Sequence, residues 1–295
     1  MGGSAMLCLL SPAKMLAEKS GRALPSASVF QKAKVKKHVM PVSKSKRFAA
    51  GTKQLVEMCS GQSKANLGKM LKVSAAITQL NYDRFKAFWD QQEYVAGSLF
   101  DGAAYKYLKA ADFDADDWIA AQNSLRILSG LYGCVKPLDL IFPYRLEMGT
   151  KIDFRGSKSL YQYWGDKVTK SIADEKPQFV LNVASGEYSK VVSFPELEEA
   201  GIRVVEIKFT DSSGRLASVY AKQARGMFVR YVIKNRCTAL EDLYSFEGYA
   251  ADYRYTFSKS ASSESTLIFV KQAKRGNTNG SSSSNGKAKK KQKRR

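Results

Sequence analysis

Histidine is almost missing from this chain: His38 is the only one in 295 residues. It falls in a basic stretch with no cysteine or second histidine near it. That speaks against a Ser-His-Asp set and against a zinc site, and a solvated loop histidine is expected. Cysteine is sparse as well. Cys8, Cys59, Cys134 and Cys237 are far apart and form no Cys-x-x-Cys pair, so reduced, inert thiols in a reducing compartment are expected. No stretch of about 18 apolar residues exists, so no membrane-spanning helix is expected. Gly-x-Gly-x-x-Gly and phosphate-loop patterns are both lacking, which removes the familiar nucleotide-dependent chemistries. "DFDADDW" (112–118) resembles a calcium loop only in its acids. Its sixth position is Asp117, not glycine, and its twelfth is Asn123, not glutamate. Acids opening a helix are the simpler reading. No cofactor and no metal site are expected.

Acidic residues are missing from two segments in particular. Residues 19–47 hold nine Lys/Arg and no acid, and residues 271–295 hold ten and no acid. The formal charge of +21 is therefore an attribute of two extensions, because residues 48–270 sum to only +2. Such extensions bind polyanions through counterion release. The expected organisation is a single domain over 1–271, carrying a basic mobile loop at 17–47, followed by a disordered polybasic tail at 272–295. Within that tail "GNTNGSSSSNG" reads as a linker and "KAKKKQKRR" (Lys287–Arg295) as a nuclear-import or nucleic-acid patch. The protein is expected in the cytoplasm, with the nucleus as the alternative through that cluster.

What remains is a patterned body. "MLCLLS" (6–11) reads as a buried strand, so a cleaved leader is not expected at this end. Three- and four-residue apolar spacing runs from about 50 to 128, ending in a stripe through Trp118, Leu125 and Leu128. Val/Ile-rich runs return at 178–185, 202–209, 216–221 and 266–271. The fold class is α/β (mixed α+β): a mixed sheet with a large helical insertion.

Two constellations carry chemistry. Ser129, Gly130, Leu131, Tyr132 and Gly133 follow the last apolar stripe and precede Lys136-Pro137. Helix, glycine turn, helix would expose main-chain amides that hold a phosphate without reading sequence. An ordinary turn uses the same residues. Lys222, Arg225 and Arg230 lie on a basic amphipathic segment, "YAKQARGMFVRYVIKNR" (220–236), suited to tracking phosphates or simply to being solvated. The second constellation gathers polar residues past strand ends: Lys14, Ser185, Glu187, Tyr188 and Lys190, positions that line clefts in α/β sheets. Arg145, Glu147 and Asp166 sit among aromatics, where a charge must be paired.

"LLSPAK", "LSGLYGCVKPLDLIFPYRLEMG", "LYQYWGD", "VASGEYSKVV", "YAKQARGMFVRYVIKNR" and "FEGY" occur in the order found in the YaaA peroxide-stress family, once an uncharacterised protein family. The resemblance runs from about residue 6 to 271. It implies one compact domain with a helix-hairpin-helix element, placed at Ser129–Gly133, and a positively charged cleft. It further implies binding to double-stranded or distorted DNA, a protective role under hydrogen peroxide, and a link to lower free intracellular iron. Lys14, Arg145, Glu147, Asp166, Ser185, Glu187, Tyr188, Lys190, Lys222 and Arg225 match family motif positions near that cleft. The family usually carries a bulkier residue where Gly186 stands. A monomeric DNA-binding protein is expected. The competing readings are an enzyme acting on damaged DNA or a nucleotide, with Lys14 beside Asp166 or Glu187, and an iron-binding protein, which the shortage of His and Cys disfavours.

Overall fold

The computed structural model describes residues 5–19, 27–250 and 252–273. Its frame is an eight-stranded sheet. The strands are β1 (Met6–Leu10), β2 (Leu125–Ser129), β3 (Gly133–Val135), β4 (Phe179–Asn182), β5 (Arg203–Thr210), β6 (Glu247–Tyr249), β7 (Tyr253–Phe257) and β8 (Thr266–Ala273). Their spatial order is β6-β7-β8-β5-β4-β1-β2-β3. The five central strands, β8 to β2, run parallel, and both edges are antiparallel. All five residues of β1 are buried. A parallel strand covered on both faces reads as an unbroken apolar run, which is why "MLCLL" does not alternate.

The helical insertion lies between β1 and β2 and includes α1 (Ala49–Ser60), α2 (Lys64–Leu71), α3 (Ala75–Lys86) and α4 (Ala115–Ser124). Later come α5 (Lys167–Ala173) and α6 (Ser218–Asn235). α4 begins where the acidic run predicts. Asp114 Oδ1 accepts the N–H groups of Asp116 and Asp117 at 2.8 Å each, and Asp117 accepts that of Asp114 at 3.1 Å. The acids of 112–118 are thus a reciprocal helix cap.

The stretch 129–133 departs from the expectation. α4 stops at Ser124, and the chain continues as β2, turns through 130–132, and returns as β3: a β-hairpin, not a helical one. Leu131, Tyr132 and Ser129 are completely buried. The polar atoms of the turn are already used inside. Ser129 Oγ lies 2.6 Å from Tyr144 Oη and accepts the N–H of Tyr132. Trp164 Nε1 donates to the carbonyl of Gly130, and Thr52 Oγ1 to that of Leu131. This turn cannot cradle a phosphate strand that never reaches it. The glycines serve packing. Gly133 takes φ +69°, and a β-carbon on Gly130 would stand 2.3 Å from the carbonyl oxygen of Leu146.

Two smaller differences follow. Residues 218–221, expected as a strand, form the first turn of α6, in which burial of Ala224, Phe228 and Val232 along one face outweighs the local β-branched content. Within 27–47, expected as a loop, two short helices (Ala27–Gln31, Ala33–Lys36) precede a two-residue strand, Met40–Pro41, which pairs with Asp139–Ile141. β8 extends through 272–273. The linker and basic cluster expected at 274–295 lie outside the described residues.

Candidate functional site

β1 and β4 are sheet neighbours, yet from β1 the chain moves to β2 on one side, and only later to β4 and β5 on the other. The loops leaving β1 and β4 therefore diverge, and the crevice between them at the carboxyl ends of the strands is where open α/β sheets bind ligands. Here the two loops are stitched together. Ser11 Oγ accepts the N–H of Ser185 at 2.9 Å and lies 3.1 Å from Ser185 Oγ. Tyr105 Oη donates to the Ser11 carbonyl at 3.0 Å. This fixes the start of the segment that carries Lys14 on one side and Glu187 on the other.

The floor is the segment 144–149, irregular through Glu147 and turning at 148–149, where the N–H of Thr150 donates to the carbonyl of Glu147. Leu146 and Met148 are buried, while Arg145 and Glu147 between them are partly exposed. Arg145 Nε donates to Glu147 Oε1 at 3.0 Å, with its Nη2 2.9 Å from the same oxygen, and Lys14 Nζ lies 3.5 Å away. Glu147 is 13% exposed and Lys14 64%, so the acid is largely spent on its two cations while the lysine remains reachable. Glu187 accepts the N–H of Gly149 at 3.2 Å, and Tyr161 Oη donates to the Glu187 carbonyl at 2.7 Å. Behind them Tyr188 is buried. Desolvation, then the phenol of Tyr144 and the carboxylates Glu187 and Glu147, pushes its phenol far above the ordinary tyrosine range, so it stays neutral.

These groups open onto a cleft of about 450 Å³ in which Lys14, Lys69, Lys72, Arg145 and Lys151 face two carboxylates, Glu147 and Glu187. Lys69 and Lys72 come from a second feature. α2 and α3 are joined by three residues only, Lys72–Ser74. Lys72 closes α2 in the left-handed conformation (φ 52°), with its N–H on the carbonyl of Gly68. Ser74 begins α3 without a side-chain cap, and no acid occupies the first turn. Ser74, Ala75 and Ala76 are exposed. The amino end of α3 thus offers uncapped main-chain amides and the positive end of its dipole, beside two lysines.

The expected site residues divide. Lys14, Arg145, Glu147, Ser185, Glu187 and Tyr188 converge at the crevice. Asp166 does not: it is exposed before α5, paired with Lys170. Lys190 is exposed one residue past a short helix, Gly186–Ser189. Lys136 binds Glu175 at 2.8 Å. Arg230 is held by the carbonyls of Leu108 and Lys109 at 3.1 and 3.0 Å, with its guanidinium over the Phe113 ring at 5.7 Å from the centroid. Arg225 is desolvated on α6 opposite Glu206, and Lys222 is exposed. The sequence reading misses Lys69, Lys72 and Lys151. The available signal is Ser74, an N-cap residue type followed by Ala-Ala, which splits the apparently continuous helix of 69–89.

Fold and site together define a mixed α/β protein with a cationic cleft at the switch point of its parallel strands. The family model for "Peroxide stress protein YaaA" matches residues 6–259. The chain belongs to that family. Similar proteins carry the name UPF0246. One from Saccharophagus degradans is 37% identical over 275 residues, spanning 90% of this chain and all of the relative. One from Acaryochloris marina is 38% identical over 229 residues, spanning 76% and 89%. One from Maricaulis maris is 41% identical over 208 residues, spanning 68% and 78%.

Proposed function

We propose that the protein binds the phosphate backbone of DNA, without reading base sequence, and protects DNA under peroxide stress. The observation that carries this reading is the cleft: five cations from four separate segments set against two carboxylates, one of them already saturated. The uncapped amino end of α3, at its rim, adds main-chain donors of the kind that position a phosphate. Lys14, Lys69 and Lys72 are the principal phosphate contacts in this reading. Lys136 and Arg230 are left out because each is held by the fold.

Protection does not run through the chain's own thiols. All four cysteines are buried. Burial pushes Cys59 and Cys134 up to about 12 and Cys237 up to about 11, with Cys8 pushed further still. Peroxide reacts with thiolate, and little thiolate forms at neutral pH. Among the described residues no three His, Cys, Asp or Glu side chains are grouped to hold a metal. A fall in free iron is therefore proposed as an indirect consequence. The cluster Lys287–Arg295 is proposed as a nuclear-import signal acting apart from the cleft.

The test is salt-dependent binding of a short duplex, followed by fluorescence anisotropy. It compares the full chain, the chain ending at residue 273, and the full chain with Lys69→Glu and Lys72→Glu. The double reversal is expected to weaken binding at least ~10-fold and to flatten the slope of log K against log salt by about 2, since each lost phosphate contact removes roughly 0.9. If only the truncation matters, the cleft is not the binder.

A further inference from the structure

The basic segment before α1 forms one wall of a second cavity, of about 410 Å³, on a different part of the molecule from the cleft. The opposite wall comes from the α4–β2 junction, from the residues following β3, and from the end of α5. Five fixed cations line it, Lys37, Lys46, Arg47, Arg126 and Lys136, with only Asp139 and Glu175 as carboxylates. Two of these cations are committed. Arg126 grips Glu175 with Nε at 2.7 Å and gives its Nη1 to the carbonyls of Gln122 and Leu125. Lys136 takes the other oxygen of Glu175, so that acid is satisfied by two cations. Arg47 is shared with Asp174. Lys37 and Lys46 are exposed and make no ion pair among the described residues.

An independent reporter sits inside. His38 lines the cavity, and its pKa falls below the ordinary imidazole value, first through burial and then through the charges of Lys37 and Lys136. The burial contribution opposes charge of either sign; only the contributions of Lys37 and Lys136 report a local positive potential, which a bound anion would offset. An apolar strip, Met40, Pro41, Val42 and Phe48, lies on the side of the basic segment, and polar Ser45, Gln122 and Ser171 complete the lining with Cys134. A cationic mouth beside an apolar strip, at this volume, fits a charged ligand with a flat organic body. No phosphate-loop motif is involved; the donors are side chains.

We propose that this cavity is a second anion site, which takes a nucleoside 5′-phosphate, free or as the phosphorylated end of a strand, with its phosphates on Lys37 and Lys46 beside His38 and its base against Met40–Val42. The proposal does not depend on the cleft.

The chain's only histidine supplies the assay. Proton NMR of His38 in the full-length protein is titrated with pH in the presence of ADP, adenosine, inorganic phosphate or a 5′-phosphorylated tetranucleotide. ADP is expected to raise the His38 midpoint saturably by about half a unit or more, because a bound anion stabilises imidazolium, while adenosine leaves it unmoved. Lys37→Glu with Lys46→Glu is expected to raise the ADP concentration needed at least ~10-fold, and Lys69→Glu in the cleft to change nothing. If the tetranucleotide acts at lower concentration than ADP, a strand end is the occupant; if at higher, the free nucleotide is. An unmoved midpoint at millimolar ADP overturns the proposal. So does inorganic phosphate matching ADP, or indifference to the double reversal.

Discussion

Gly130 lies directly beneath Leu146: a β-carbon on the glycine would stand 2.3 Å from the leucine's carbonyl oxygen and 3.0 Å from the carbonyl carbon of Glu147. The buried turn between β2 and β3 is therefore the seat on which the Arg145–Glu147 floor of the cleft rests. Because the obstacle is main chain, a methyl group there cannot be absorbed by a rotamer change. Gly130→Ala is expected to cost about 2–4 kcal/mol, read as a lowered urea midpoint with unchanged slope, and to weaken DNA binding by displacing Glu147. Gly186→Ala, with nothing within 4 Å of the added carbon, is the control and should change stability by less than ~0.5 kcal/mol.

Asp139 gives a pH signature. Desolvation raises its carboxyl to about 6, against the smaller opposing effects of the Lys136 N–H and the nearby cations. A carboxyl whose folded pKa exceeds its unfolded value is destabilising when ionised: the cost is full above about pH 6 and disappears below about pH 4. Asp139→Asn keeps an oxygen for the N–H of Lys136. It should raise stability by about 1–2 kcal/mol at pH 7.5, once the partial exposure of the site is discounted, and the gain should vanish by about pH 4. Thermal melts of both proteins across that range measure it.

The buried thiols predict a simple titration. Native protein should react with Ellman's reagent far more slowly than a free thiol, and all four cysteines should react once the chain is unfolded in guanidinium. A fast-reacting thiol in the native state would contradict the burial of Cys8, Cys59, Cys134 and Cys237.

Asp166 separates the enzymatic alternative from the binding one. It is exposed, and among the described residues its ion-pair partner is Lys170, four residues on, a solvent-screened contact that contributes little to stability. Asp166→Asn should leave stability, DNA affinity and peroxide survival unchanged within error. A loss of protection with folding intact would return an acid–base role to this residue.

Of the parallel strands, β1 and β4 were legible as short apolar runs buried along their whole length, and β5 and β8 through their Val/Ile content, although their burial is interrupted. β2 was not. Its Leu125 and Leu128 continue the spacing of Trp118 on α4, so a helical stripe and a strand are indistinguishable there. The deciding contact is distant: Arg126, 3% exposed, is satisfied by Glu175, 49 residues away. The polar residues past β1 and β4 could be placed at the crevice because strand ends are visible in the sequence. Lys69, Lys72 and Lys151 could not, because a lysine facing a cleft is chemically the same as one facing water until the fold brings its neighbours.

The stitching of Ser185 to Ser11 has a bearing on biosynthesis. The two residues are 174 positions apart, and the crevice does not exist until the later one has left the ribosome and β4 has docked beside β1. Long-separation pairings of this kind form late. The cationic segment of residues 19–47 is therefore made well before the groove, whose walls are complete only after Glu187 has been added.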